Sequence, residues 1–161
     1  MSVEQRLREL SIELPPPGKA AGNYVTGVRV GNLLFMSGCG PRGSDGSAIT
    51  GRLGDDLTTE QGYASARSVG LNMLTGIRAV LGSLDRVERV VKVLGMVNCT
   101  PEFTEMPKVI NGFSDLFVEL LGPERGRGAR SAVGMAALPG RIAVEVEMVL
   151  EVADERPAPF A

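Results

Sequence analysis

The sequence predicts an α+β fold in which two long helices pack on one side of a mixed, mainly antiparallel sheet. Two observations carry this. Thr59 to Leu81 and Pro101 to Leu121 repeat their apolar residues at helical spacing, and Ile142 to Val152 alternates strictly between apolar and polar residues. The order of elements, with strand-like runs before, between and after the helices, adds the third.

In chain order, Val3, Leu7, Leu10 and Ile12 fall at roughly helical spacing before Pro15-Pro16-Pro17-Gly18, which reads as a short helix and a rigid linker. Tyr24 to Val30 and Leu33 to Met36 are β-prone runs joined by Gly31-Asn32, a turn pair that accepts positive φ, so a first hairpin is expected. Residues 42 to 56 are rich in Gly, Asp and Ser and read as a surface loop with a short strand at Ala48 to Leu53. Thr58 and Gln61 match a capping box, and Gly82 a C-terminal stop, around a helix carrying Val69, Met73, Ile77, Val80 and Leu81 on one face. Arg86 to Val97 is dense enough in valine to predict a strand buried on both faces. Thr100-Pro101 fits an N-cap and first helical position for the second long helix, whose stripe of Met106, Val109, Ile110, Phe113, Phe117, Leu120 and Leu121 ends at Gly122-Pro123. Asn111 lies about 140° from the centre of that stripe. It is either an ordinary solvated side chain or one that meets a partner surface.

The last segment holds the main functional clue. Pro139-Gly140 between apolar runs suits a tight turn, which would pair Gly134 with Glu145, Ala132 with Glu147 and Arg130 with Val149. Arg130, Ala132, Gly134, Glu145 and Glu147 would then share one sheet face. Ala132 and Gly134 have almost no volume, so an anion could sit between Arg130 and Glu145. The alternative is a cross-strand Arg130–Glu147 ion pair on a solvated face.

Composition narrows the chemistry. At 161 residues and 17.0 kDa the chain is the size of one domain, divisible into an N-terminal helix and linker over 1–19, a core over 20–152 and a C-terminal tail over 153–161. No apolar run approaches the ~20 residues of a membrane helix, and residues 1 to 10 lack the apolar core of a secretory signal, so a soluble protein with no membrane partner, in the cytoplasm by default, is expected. Cys39 and Cys99 have no metal-ligand spacing. Histidine is absent, which removes Ser-His-Asp and Cys-His catalysis and nearly every imidazole-based zinc site. A net charge of -2 and 4% aromatic residues give neither the electrostatic footprint nor the stacking platforms of a nucleic-acid binder.

Four stretches carry a family resemblance: Asn23-Tyr24-Val25-Thr26-Gly27-Val28, Gly31 through Gly38, Leu84-Asp85-Arg86-Val87 leading into Val90-Val91-Lys92-Val93, and Arg130-Ser131 through Leu138-Pro139 to Glu147. Together they resemble the Rid (YjgF-like, endoribonuclease L-PSP) family, whose archetype RidA is an enamine/imine deaminase. The likeness runs from about residue 20 to 152 in the family's order and spacing, and the extra N-terminal helix is similar to that of a longer subgroup. It implies a chorismate-mutase-like fold and a homotrimer with clefts between subunits. It further implies that Arg130 holds the carboxylate of a 2-imino or 2-enamino acid and that Glu145 orients or activates the attacking water. Tyr24 matches the cleft-wall tyrosine, Ser37 and Gly38 the Ser-Gly whose backbone faces the substrate, and Asn111 the helix asparagine near the cleft. Ala132 stands where the family commonly has cysteine, and Cys39 where it has glutamine; both departures bear on the pocket's shape.

Such chemistry needs neither metal nor cofactor, because an iminium carbon is already electrophilic and a partly buried carboxylate gains basicity. The resemblance therefore predicts a hydrolase converting 2-imino acids to 2-keto acids and ammonia. A non-catalytic metabolite-binding trimer is the alternative, and an endoribonuclease or translation inhibitor is disfavoured by the acidic pI and the lack of histidine.

Overall fold

A computed structural model describes residues 2–18 and 22–153; the predicted tail beyond Ala153 and linker residue 19 lie outside them. The elements are α1 (Val3–Glu9), β1 (Gly27–Val30), β2 (Leu33–Cys39), α2 (Thr59–Leu81), β3 (Val87–Asn98), α3 (Met106–Leu121), the single turn α4 (Pro123–Gly126), β4 (Ala129–Met135) and β5 (Val144–Val152). The five strands form one sheet in the order β1-β2-β5-β3-β4, antiparallel except for the β3–β4 pair.

The local signals in the sequence account for most boundaries. Thr58 and Gln61 form the reciprocal capping box at the start of α2, and Gly82 closes it at φ 80°. Gly31, at φ 59°, turns β1 into β2. The start of α3 departs from expectation: it begins at Met106, not Pro101. Pro107 is the reason, since in a helix opening at Pro101 its ring would collide with a carbonyl one turn back, whereas at the second position the missing N–H costs nothing. Ala48 to Leu53 forms isolated bridges, Ala48 to Arg42, Thr50 to Ile142 and Leu53 to Leu57 and Cys99, not a strand.

The closing hairpin does not form. β4 pairs with β3 in parallel, β5 lies on the other side of β3, and residues 136–143 cross over the end of that strand. Pro139–Arg141 make a short 3-10 turn, with Gly140 at φ 60° and Arg141 at φ 57°, in place of a two-residue loop. Alternation assigns a strand's faces but not its neighbours, which burial decides. β5 buries Val144, Val146, Met148, Leu150 and Val152 and so occupies the centre of the sheet. β4, with only Arg130, Ala132 and Gly134 facing inward, suits an edge.

The helix side of the sheet is the core. Phe113 and Phe117 stack at 4.8 Å between ring centroids, over Val90, Val93 and Val97 of β3. Each such aromatic contributes roughly 1.5–3 kcal/mol on burial. Gly95 admits Ile110, and Gly112 lets α2 and α3 touch backbone to backbone at Tyr63. The other sheet face carries no helix. There Leu94 and Met96 of β3 are half-buried, a correction to the expected double burial, and Val30 (63%), Val28 (51%), Phe35 (45%) and Val133 (38%) are exposed.

α1 seals the far end of the helix layer. Val3 and Leu7 enter the core, and the Glu4 carboxylate accepts two bonds from Arg78 (3.0 and 2.6 Å) and one from the Leu84 N–H (3.1 Å). Replacing Glu4 with alanine should lower the urea midpoint by roughly 1–2 kcal/mol equivalent, the net worth of charge-assisted bonds at a half-exposed site. An unchanged midpoint would show that α1 is not clamped there.

Candidate functional site

Arg130 extends from edge strand β4 across the first half of α3. Its Nη1 donates to Asn111 Oδ1 (2.9 Å) and Ser114 Oγ (3.0 Å), and its Nη2 donates to the Pro107 carbonyl (3.3 Å). Positions 107, 111 and 114 lie along one line of a helix, so three acceptors meet one guanidinium. A guanidinium has five N–H donors. Among the described residues these three bonds leave Nε–H and one Nη2 hydrogen, two donors with which the fork of an arginine can grip a carboxylate. A groove of about 260 Å³ opens beside it, lined in part by Val93, Phe113 and Phe117. The polar face of Asn111 has thus found its partner within the same chain. Ser114 and the Pro107 carbonyl were not singled out from the sequence; the spacing of Ser114, three residues after Asn111, is the signal that could have found it.

A second cluster gathers around Glu145 on β5. Glu145 opposes Met96, whereas Arg130 opposes Val93 and, through it, Met148. Directly paired residues share a face, so Glu145 and Glu147 project from the helix-free side and Arg130, Ala132 and Gly134 from the helix side. Neither the shared anion floor nor the Arg130–Glu147 ion pair exists within one chain. The physical cause is the strand order: with β3 interposed, the assumed two-residue turn no longer sets the register.

The Glu145 cluster has its own local logic. β2 is bulged between Met36 and Cys39 where it pairs with β5, which places Ser37 and Gly38 beside Glu145. A Cβ at Gly38 would stand 2.1 Å from Glu145 Oε1, so only glycine lets the carboxylate sit there. Burial first, and the charge of Glu147 second, hold the Glu145 carboxyl above its ordinary range. Ser37 Oγ donates to the Val25 carbonyl (2.6 Å), which ties the segment carrying Tyr24, itself half exposed, to the same end of the sheet. Burial likewise pushes the Cys39 thiol up to about 11, with Arg42 opposing and Glu145 adding to the rise, so Cys39 is a neutral thiol near neutral pH.

The residues expected from the sequence to form a site therefore divide in two: Arg130, Asn111 and Ala132 on the α3–β4 edge, and Tyr24, Ser37, Gly38 and Glu145 around the β2 bulge. Among the described residues no three His, Cys, Asp or Glu side chains come together as a metal-ligand set, and no helix is long and apolar enough to cross a membrane.

Comparison with known proteins places the fold in a family. Residues 4–151 match the family model described as "YjgF/chorismate_mutase-like, putative endoribonuclease". Protein TCP17 of Trypanosoma cruzi is 46% identical over 92% of this chain and 93% of its own length. The crystal structure of a protein from Shewanella oneidensis described as a putative endoribonuclease superposes with a TM-score of 0.88 at 32% identity, covering 94% of this chain and all (100%) of that one. RidA from the Antarctic bacterium Psychrobacter sp. is 28% identical at a TM-score of 0.58, over 85% of this chain and 94% of that one. With its five-stranded mixed sheet, two long helices on one face and a family match spanning nearly its whole length, the chain belongs to the YjgF/RidA family and has the chorismate-mutase-like fold.

Proposed function

We propose that this protein hydrolyses 2-imino (2-enamino) acids to 2-keto acids and ammonia, at sites that two copies of the chain build together. The observation that carries the reading is the Arg130 guanidinium, held by three acceptors with two donors left for a carboxylate. Because Glu145 lies on the other sheet face, one chain cannot wrap both groups around a small ligand; a second copy supplying the Glu145 cluster to the Arg130 edge can. The exposed Val28, Val30, Phe35 and Val133 give the helix-free face a reason to associate, and a closed homotrimer buries that face in every copy.

In this mechanism Arg130 grips the substrate carboxylate, which fixes the imine carbon at the cleft. Glu145 accepts a proton from a water as its oxygen bonds to that carbon, and the C=N π electrons pass to nitrogen. Glu145 hands that proton to the nitrogen, giving the neutral carbinolamine, and then relays the carbinolamine's hydroxyl proton to the same nitrogen, so the C–N bond breaks and ammonia leaves as the ketone C=O forms. The overall change is imine plus water to ketone plus ammonia, with no redox step.

Mixing subunits tests the composite site directly. Arg130→Ala and Glu145→Gln chains should each be inactive, while co-refolded one-to-one mixtures should recover about a quarter of wild-type sites, since each intact site draws one good half from each variant. Mixtures that stay inactive would refute a shared site, and full activity in either variant would refute the deaminase roles.

The pH profile supplies a second check. A base works deprotonated, so the catalysed increment should fall as pH drops through the Glu145 pKa, and that limb should lie above the ordinary carboxylate range because Glu145 is raised. Glu145→Gln should remove the limb along with at least about 100-fold of the rate. A limb that persists in the variant would assign the titration to another group.

A further inference from the structure

The groove beside Arg130 has a second cationic residue. Arg127 lines it together with Arg130, and Asp115 is the single acidic residue among the lining. Asp115 is already engaged, its Oδ2 accepting from the Tyr63 hydroxyl at 2.9 Å. Arg127 itself is exposed and makes no hydrogen bond or ion pair to the described residues. The contrast with its neighbours is informative: Arg125 is bound to the Glu88 and Val87 carbonyls and Arg130 to α3, so each of those arginines has a holding contact while Arg127 has none.

The backbone on both sides of Arg127 is closely packed. A Cβ at Gly126 would fall 2.5 Å from the Phe117 carbonyl oxygen, and one at Gly128 would fall 2.7 Å from Val90 Cγ1 and 3.0 Å from the Val90 carbonyl. Two glycines pressed against α3 and β3 thus hold the Arg127 backbone at the rim of the groove, three residues before Arg130. Arg127 and Arg130 line the same groove three residues apart, so their two long side chains can close on a four- or five-carbon ligand between them. Two guanidiniums facing one engaged carboxylate leave the groove cationic, and the groove's volume of about 260 Å³ exceeds what a three-carbon acid fills.

We infer that the site selects dicarboxylic 2-imino acids, with Arg130 on the α-carboxylate and Arg127 on the distal one. This rests on the deaminase reading of Arg130 and extends it to the substrate class. Arg127 is then a specificity-determining residue that does not touch the reacting carbon, and the water attack is the same for either substrate class.

The test is calorimetric titration of the intact protein with two keto acids of equal chain length, 2-oxoglutarate and 2-oxopentanoate, followed by Arg127→Gln and Arg130→Ala. 2-Oxoglutarate should bind about three- to fivefold more tightly, the preference should shrink with added salt, and Arg127→Gln should abolish it while leaving 2-oxopentanoate unchanged. Equal or better binding of 2-oxopentanoate, lost in Arg130→Ala, would overturn the dicarboxylate assignment and leave the keto-acid site standing. Equal weakening of both ligands by Arg127→Gln would also overturn it, as a structural effect. Binding of neither ligand would overturn both readings.

Discussion

Replacing Arg130 with alanine is expected to abolish the enzyme-dependent part of ammonia release from an imine generated in situ, a loss of about 100-fold or more. Truncating one partner of a hydrogen-bonded charge pair costs 2–5 kcal/mol or more, and in the proposed mechanism the lost partner also positions the substrate. The fold should survive, because Arg130 is half-buried on an edge strand and its three acceptors lie near the surface, where water can replace it. Arg130→Lys should recover little. A lysine is a point charge on a flexible stem and reproduces neither the three-point attachment to α3 nor the planar fork. The measurement is ammonia release above the spontaneous rate, with circular dichroism confirming structure; wild-type rates in Arg130→Ala would end the assignment.

The second large effect is on stability. Gly112→Ala adds one methyl group, yet its Cβ would lie 2.0 Å from the Tyr63 carbonyl oxygen and 3.2 Å from the Arg67 nitrogen. Both neighbours are main-chain atoms of α2, so no rotamer change relieves the clash and the two helices must move apart. Separating them loosens Phe113, Phe117, Val69 and Met73 together. Overpacking ordinarily costs 1–3 kcal/mol, and a backbone clash between the two main helices should reach about 3 kcal/mol or more. Alanine would improve helix propensity by about 1 kcal/mol, so the sign of the result separates local from tertiary control. A urea midpoint that falls with an unchanged slope supports the close crossing; a midpoint that rises would refute it.

Gly112 illustrates what was hidden in the chain. A glycine within a helical pattern reads as a weak spot, and only the α2–α3 contact shows it to be required. Pro107 is the converse case: the rule that proline cannot sit in a helix interior was available, and applying it would have placed the start of α3 correctly. The capping box at Thr58, the Gly31 turn and the Gly82 stop were fully legible because each depends on residues within one turn of chain. The site was legible by parts. The resemblance names Arg130, Asn111 and Glu145 as candidates but not their mutual arrangement: a two-residue turn predicts one shared face, whereas β3 separates β4 from β5.

The sequence by itself determined the inward-facing residues of β5, the two long helices, their layering on one face of a sheet, and the absence of histidine chemistry. These are consequences of periodicity, capping and composition, which act over short stretches of chain. Tertiary structure alone decided strand order, and with it which sheet face each charged group occupies. Strand order follows from how much apolar surface each strand brings relative to all the others, and no local window contains that comparison. The central place of β5, the edge position of β4, and the division of Arg130 and Glu145 between opposite faces all follow from it.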